Sequence, residues 1–160
     1  MRSCSLLVPA FNMEPKFPPT TLLTATMLSP ELSWQDAPPK AQSFVLIVHD
    51  PDARKPGGFT HWVVYNIPPE TNHIAENVPD TEVVSGMGMQ GKNDGGKIGY
   101  MGPAPPSGTH RYFFRLYALD RMLDLGVRAT HKEVSDAIKG HVLAQAELMG
   151  TYANKREQVA

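Results

Sequence analysis

Residues 43–67 read SFVLIVHDPDARKPGGFTHWVVYNI and predict two strands joined by a loop of proline, glycine and charge. The first strand, Phe44 to Val48, is an unbroken apolar run rich in β-branched residues, which is typical of a strand covered on both faces. Asp50 and the proline after it should end this strand, because aspartate favours turns and proline cannot donate to a ladder. Thr60 to Ile67 is the second strand. If the two pair as a hairpin, Asp50 leaves one strand close to where His61 enters the next.

The composition limits the classes of protein to which this chain can belong. Its 160 residues suit one domain with a sizeable core, spanning 1–160 with loose termini at 1–7 and 153–160. Fifteen lysines and arginines against sixteen aspartates and glutamates give a formal net charge of −1, so the charge gives no reason to expect a nucleic-acid partner. The single cysteine, Cys4, excludes an internal disulfide framework and a cysteine-based zinc site.

The apolar stretches are too short for a membrane protein. None approaches the ~20 residues that a transmembrane helix needs. Near the N-terminus the apolar run is broken at Pro9 and is too short for the core of a signal peptide. We therefore expect no transmembrane segment and a cytoplasmic location.

Outward from the hairpin, the patterns are weaker on both sides. Thr21 to Leu28 predicts a short strand, and Leu32 and Trp34 would share one face of another. Residues 68–109 are rich in glycine and proline, with one short strand expected near Glu82 to Ser85. A long irregular stretch inside a compact domain is usually functional.

A third strong strand is predicted from His110 to Leu119. Its alternation gives one mostly apolar face and one face that carries two arginines. The first face contains His110, Tyr112, Phe114, Leu116 and Ala118. The second contains Arg111, Phe113, Arg115, Tyr117 and Leu119.

A helix is predicted from Thr130 to Met149. The threonine and Glu133 have the spacing of a capping box, and Gly150 would cap the C-terminal end. An apolar stripe at helical spacing supports this interpretation. The stripe contains Val134, Ile138, Val142 and Met149.

Three polar residues stand out because each lies at a predicted strand end beside a loop: Asp50, His61 and His110. Tyr112 follows on the face of His110. Taken singly, the aspartate can be a turn residue and each histidine a satisfied side chain at a sheet edge. Taken together they predict one cluster, provided that the fold brings them to the same place.

Other kinds of site have less support in the sequence. Two histidines and an aspartate could bind a metal, but their spacing matches no tight ligand motif. A serine nucleophile is not supported, because no Gly-x-Ser-x-Gly elbow is present. Gly95 and Gly96 are not followed by the Lys-Ser/Thr of a phosphate-binding loop. We therefore expect neither a metal nor a cofactor.

Six motifs follow one another along the chain. They are Ser29-Pro30-Glu31-Leu32-Ser33-Trp34, Asp50-Pro51-Asp52, His61-Trp62, Gly102 to Pro106, Gly108-Thr109-His110-Arg111-Tyr112, and the ending Gly140 to Tyr152. In this order they resemble the phosphatidylethanolamine-binding protein family, most closely its short bacterial branch, often called Raf-kinase-inhibitor-like. The resemblance extends from about Val8 to Tyr152.

The resemblance implies a mainly β, β-rich α+β fold, with a large, mostly antiparallel central sheet, a smaller second sheet and a C-terminal helix. It also implies a small surface cavity for anions such as phosphate, carboxylate or a phospho-headgroup. The implied cavity residues are Asp50, His61, His110 and Tyr112, with Gly102, Ala104, Pro105 and Pro106 as a wall. The implied structural residues are Pro51, Asp52, Trp62 and Arg111, the second and last of these as a charge pair.

One stretch departs from the family pattern. Bacterial relatives usually carry a polar Tyr-Thr-Cys-Asp-Gly-like stretch before Ser-Pro-x-Leu-x-Trp, whereas residues 21–27 here read TLLTATM. An acidic residue and a glycine are missing. If this stretch helps to rim the cavity, the rim is more apolar than in the relatives.

These observations favour a small-ligand-binding protein with an anion-binding cavity, which could also modulate a partner protein or form a homodimer. A histidine beside Asp50 should have its charged form favoured, and an imidazolium can hold a phosphate or carboxylate. Two alternatives stay open. One is an enzyme that uses Asp50 and a histidine as acid and base. The other is an inhibitor module for a kinase or protease.

Overall fold

The computed structural model describes residues 12–15, 29, 31–53, 56–101 and 109–153, with the backbone alone at 12–15, 109–110 and 151–153. It is built mainly of strands. The strands are β1 Asn12–Pro15, β2 Leu32–Gln35, β3 Ser43–Asp50, β4 Phe59–Ile67, β5 His73–Ile74, β6 Val83–Val84, β7 Gly88–Gln90, β8 Thr109–Leu119 and β9 Val142–Ala153. The helix α1 is His131–Ile138. Across the described parts of the chain, no helix has the length and apolar character to span a membrane.

The strands form two antiparallel sheets. The large sheet has the order β6-β7-β4-β3-β8-β9, and the small sheet has the order β1-β2-β5. Each pairing between these strands is antiparallel. The predicted mainly β fold, with one large and one smaller sheet, is confirmed.

β3 lies in the middle of the large sheet and contributes to a core on each face. Phe44, Leu46 and Val48 face the inter-sheet core, which also contains Leu32 and Trp34 of the small sheet. The alternate residues of β3 face the opposite core, which packs under α1 and is called the helix-side core below. Those alternate residues are Val45 and Ile47. The predicted strand covered on both faces is therefore confirmed.

Several other predicted elements are present. Leu32 and Trp34 in β2 are both buried, as their alternation requires. β6 is the short strand expected near residue 83. β8 buries Tyr112, Phe114, Leu116 and Ala118 on one face and leaves Arg111 exposed on the other. The strand predicted at 21–28 falls outside the described residues.

The predicted bounds of the C-terminal helix are correct at its start and wrong at its end. Thr130 is the N-cap of α1 and forms the predicted capping box with Glu133. The helix stops at Ile138, and Gly140 has a φ of +81°, which a helix cannot continue through. Residues 142–153 then form β9, which pairs with β8 along its length.

The pairing of β8 explains this difference. Alanines 144 and 146 are buried and the residues after each of them are exposed, which is the two-residue period of a strand. The apolar residues at helical spacing in the same segment fitted either interpretation. Helix propensity is a weak preference, and here the tertiary pairing with an eleven-residue strand overrides it.

Candidate functional site

A β-bulge in β4 positions His61. Val48 of β3 is opposite Trp62, while His49 is opposite Thr60, so His61 is the extra residue between two pairs. Strict alternation would send His61 and Trp62 to opposite faces of the sheet. The bulge instead turns the imidazole towards Tyr112, and the two ring centroids are 4.9 Å apart. Bulges re-aim side chains in this way beside functional sites in many proteins.

Met101 takes the place of the strand partner that the bulge removes from His61. The Met101 backbone N–H donates to the His61 carbonyl at 2.9 Å. In return, His61 Nδ1 lies 2.7 Å from the Met101 carbonyl oxygen. Because a carbonyl only accepts, Nδ1 must carry a proton and donate it. In the neutral ring, the other nitrogen, Nε2, is then left with a lone pair.

Asp50, His61 and Tyr112 form a buried cluster at this end of the large sheet. Their exposed fractions are 2%, 6% and 2%. One carboxylate oxygen of Asp50 accepts a 2.8 Å hydrogen bond from the Asp52 backbone N–H. Phe59 also packs against the imidazole, with ring centroids 4.8 Å apart. The strand ends therefore bring together three of the four residues that the sequence analysis selected for the cavity.

The electrostatic balance at His61 differs from the expectation. Burial lowers the pKa of His61, and this effect outweighs the Met101 hydrogen bond and the Asp50 charge, which both raise it. Asp50 acts in the expected direction, but it does not make the charged imidazole the favoured form. The net effect is a lowered pKa, because burial of His61 outweighs the favourable charge of Asp50.

Asp52 and Arg111 hold the loop after β3 against the start of β8. The Arg111 Nε and Nη2 groups donate to the two carboxylate oxygens of Asp52 at 3.0 and 2.9 Å. The Arg111 backbone N–H adds a third hydrogen bond at 2.9 Å. Such two-pronged pairing fixes geometry as well as charge. The pair lies beside the cluster, with Arg111 on the strand face opposite to Tyr112.

The other residues named for a structural role have different environments. Pro51 lies in the exposed turn after β3. Trp62 is fully buried, and its indole N–H donates to the Gln90 side-chain oxygen at 2.7 Å. The Gln90 amide nitrogen in turn donates to the carbonyls of Pro79 and Thr81. Trp62 therefore anchors β4 to β7 behind the cluster.

Part of the predicted site lies outside the described residues. His110 is described by its backbone, which pairs with Tyr152 in β9 two residues before Tyr112. Its side chain and the predicted wall fall outside the description, as does the stretch 21–27. The wall residues are Gly102, Ala104, Pro105 and Pro106.

Met101 and Phe59 contact His61 but were missed from the sequence. Phe59 could have been found, because an aromatic residue two positions before a histidine shares its face in a regular strand. No sequence signal identifies Met101, because its role depends on a loop closing over a bulge. Among the residues that the structure describes, no group of three or more histidine, cysteine, aspartate or glutamate side chains is arranged to hold a metal ion.

Comparison with protein families and curated proteins identifies relatives over nearly the whole chain. A family model described as phosphatidylethanolamine-binding protein matches residues 8–153. A UPF0098 protein of Methanothermobacter thermautotrophicus is 48% identical over 143 residues, which cover 89% of this chain and 94% of that protein. A UPF0098 protein of Aquifex aeolicus is 48% identical over 128 residues, covering 78% of this chain and 74% of that protein.

Solved structures with the same fold include two bacterial proteins. The phosphatidylethanolamine-binding protein homolog CT736 of Chlamydia trachomatis superposes with a TM-score of 0.76 at 36% identity, covering 91% of this chain and 99% of that one. YbcL of Escherichia coli, described as a member of the mammalian PEBP family, superposes with a TM-score of 0.78 at 26% identity and the same coverage.

Proposed function

This chain belongs to the phosphatidylethanolamine-binding protein family, and from that premise we propose that it binds a small anionic ligand beside Asp50, His61 and Tyr112. The observation that carries the proposal is the buried imidazole of His61, which the bulge turns into contact with Tyr112. A buried polar cluster at a strand end, beside a glycine- and proline-rich loop, is a common form of ligand site.

The protonation of His61 determines how an anion can bind there. In the free protein Nδ1–H is used by the Met101 carbonyl, and Nε2 of the neutral ring is an acceptor. A fully ionised anion would meet this lone pair and the nearby Asp50 carboxylate. A proton must therefore lie between ligand and imidazole, either carried by the ligand or added to Nε2. We infer that anion binding is coupled to proton uptake.

Phosphate, carboxylate and phospho-headgroup ligands share the necessary chemistry, since each offers an oxyanion that can carry a proton. His110 and the loop from Gly102 to Pro106 are proposed to complete the site. His110 would lie on the face of Tyr112, because side chains two residues apart in a strand share a face.

Calorimetry with acetate and with inorganic phosphate tests this proposal. Acetate is almost fully ionised at neutral pH, so its binding should take up about one proton from the buffer. Phosphate partly brings its own proton and should take up less. Repeating each titration in two buffers of different ionisation enthalpy measures the proton uptake directly.

Substitutions of single histidines test which side chain the anion binding and the proton uptake depend on. His61→Phe keeps a ring beside Tyr112 but removes the proton site, so it should abolish proton uptake and weaken both anions about tenfold or more. His110→Ala should weaken both anions as well. His141→Phe, at a histidine paired with Asp120 away from the cluster, is the matched control and should bind like the wild type. Anion binding without proton uptake, unaffected by His61→Phe, would contradict the proposal.

A further inference from the structure

A second polar cluster lies on the opposite face of the large sheet, formed by His49, Thr60 and His131. His49 Nδ1 is 3.1 Å from the Thr60 hydroxyl oxygen, and His131 Nδ1 is 2.7 Å from the same oxygen. His49 Nε2 is 2.9 Å from the Gly57 carbonyl oxygen. The two imidazole rings meet edge to face with centroids 5.4 Å apart. The threonine thus links two histidines from different elements, β3 and the first residue of α1.

The hydrogen-bond partners of the two neutral rings determine which nitrogen of each ring donates and which accepts. The Gly57 carbonyl can only accept, so His49 Nε2 carries a proton. In the neutral ring Nδ1 then accepts, and the Thr60 hydroxyl must donate to it. The hydroxyl oxygen is therefore the acceptor for His131 Nδ1–H. In neutral His131, Nε2 is left as a hydrogen-bond acceptor.

His131 lines a groove on this face of the sheet. Within the described parts of the chain, His131 Nε2 has no hydrogen-bond partner. The buried polar atoms that lack a partner there do not include it, so this nitrogen is at least partly accessible to solvent. The groove has a volume of about 370 Å³. Its lining includes His49, Thr60, Asp94, His131, Lys132 and Ser135.

The groups that line the groove offer acceptors to a cationic donor. Asp94 is exposed, and one of its oxygens accepts the Thr60 backbone N–H at 2.8 Å. Lys132 is engaged by Asp136 one turn along α1, at 2.9 Å. Burial and the neighbouring His49 lower the pKa of His131, as does Arg115, whereas Asp94 raises it. An anion would thus meet a carboxylate and a lone pair, while a cationic donor would find partners in both.

We propose that this groove is a second binding site, for a small primary amine whose ammonium group donates to His131 Nε2 while Asp94 supplies the opposite charge. The two sites lie on opposite faces of the sheet and require opposite protonation. Anion binding at His61 adds a proton, whereas ammonium binding at His131 needs the unprotonated ring. Ammonium affinity should therefore fall as the pH is lowered through the pKa of His131.

NMR of protein labelled with nitrogen-15 histidine tests the proton arrangement first. His131 is expected as the Nδ1–H tautomer and His49 as the Nε2–H tautomer. Thr60→Val keeps the shape but removes the linking hydroxyl, so it should leave His131 as a mixture of tautomers. A His131 spectrum showing the Nε2–H tautomer in the wild type would overturn the assignment of the acceptor.

Titration with methylammonium chloride then tests the site, with tetramethylammonium chloride as a cation of equal charge that lacks N–H donors. Methylammonium should shift the His131 Nε2 resonance saturably, and tetramethylammonium should not. His131→Phe should weaken methylammonium binding about tenfold or more, and Asp94→Asn about two- to fivefold. His141→Phe is the matched control and should bind like the wild type. Equal shifts with both cations, or no saturable shift with methylammonium, would overturn the proposal.

Discussion

Burial lowers the pKa of both His61 and His131, so both imidazoles are expected to be neutral near pH 7. Each ring donates its Nδ1–H to a hydrogen bond within the protein. His61 donates to the Met101 carbonyl and His131 to the Thr60 hydroxyl. The two histidines differ in the residues that surround them. His61 is enclosed by aromatic rings, whereas His131 opens on a groove beside Asp94.

These lowered pKa values predict how stability depends on pH. A histidine in the unfolded chain titrates near ~6.5, while folded His61 and His131 titrate lower. Between the two pKa values the unfolded state binds more protons, so the free energy of unfolding should rise with pH up to about 6.5 and then level off. Urea unfolding at several pH values measures this rise. His61→Gln should reduce it; an undiminished rise in His61→Gln would contradict the prediction for His61.

Two consecutive glycines in the loop before β4 offer a second test at this scale. Gly57 and Gly58 both have positive φ, +82° and +86°. A Cβ atom at Gly57 would meet nothing within 4 Å, but at Gly58 it would lie 2.4 Å from the Asp50 carbonyl oxygen and 2.7 Å from His49 Nε2. Gly57→Ala should therefore cost about 1 kcal/mol of backbone strain, and Gly58→Ala clearly more. Equal unfolding free energies for the two variants would show that the loop moves aside freely.

At the scale of elements, the sequence predicted β3, β4 and β8 well because their apolar patterns have a two-residue period or are continuous. The prediction was wrong where a segment carried both a helical and a strand pattern. The segment after Gly140 carries apolar residues at helical spacing and also alternates, and the choice depended on β8 needing a partner. The bulge in β4 was also beyond prediction, since one extra residue leaves composition and spacing unchanged and shows only in the register with β3.

The short helix α1 should nevertheless contribute strongly to stability. Ile138 is buried in the helix-side core beside Val134, in the last turn of α1. Ile138→Ala should lower the free energy of unfolding by about 2–5 kcal/mol, because it leaves a cavity in a packed interior. The adjacent exposed Lys139→Ala is the control and should change it by less than about 0.5 kcal/mol. A melting temperature that does not respond to Ile138→Ala would show that α1 is loosely docked.

At the scale of the whole molecule, the large sheet separates two cores and two polar clusters. The inter-sheet core ends in the cluster of Asp50, His61 and Tyr112, and the helix-side core ends in the cluster of His49, Thr60 and His131. Sequence patterns predicted that β3 is covered on both faces. They could not predict what lies over each face, because that depends on contacts between residues far apart in the chain.

Separate cores predict additive mutational costs. Leu116 is fully buried in the inter-sheet core and Val134 in the helix-side core. Truncations at distant sites with no shared partners usually add within ~0.5 kcal/mol. Urea unfolding of Leu116→Ala, Val134→Ala and the double variant measures the coupling. An interaction energy above about 1 kcal/mol would mean that the sheet transmits strain from one core to the other.

The register around the bulge also affects how this protein could be recombined with its relatives. His49 and Asp50 are consecutive but contribute to clusters on opposite faces, and so are Thr60 and His61. These two blocks of two codons therefore encode two of the three residues of each cluster. A chimera that imports either block from a relative exchanges parts of both clusters at once, and neither can be transplanted by a cassette swap of this hairpin without the other.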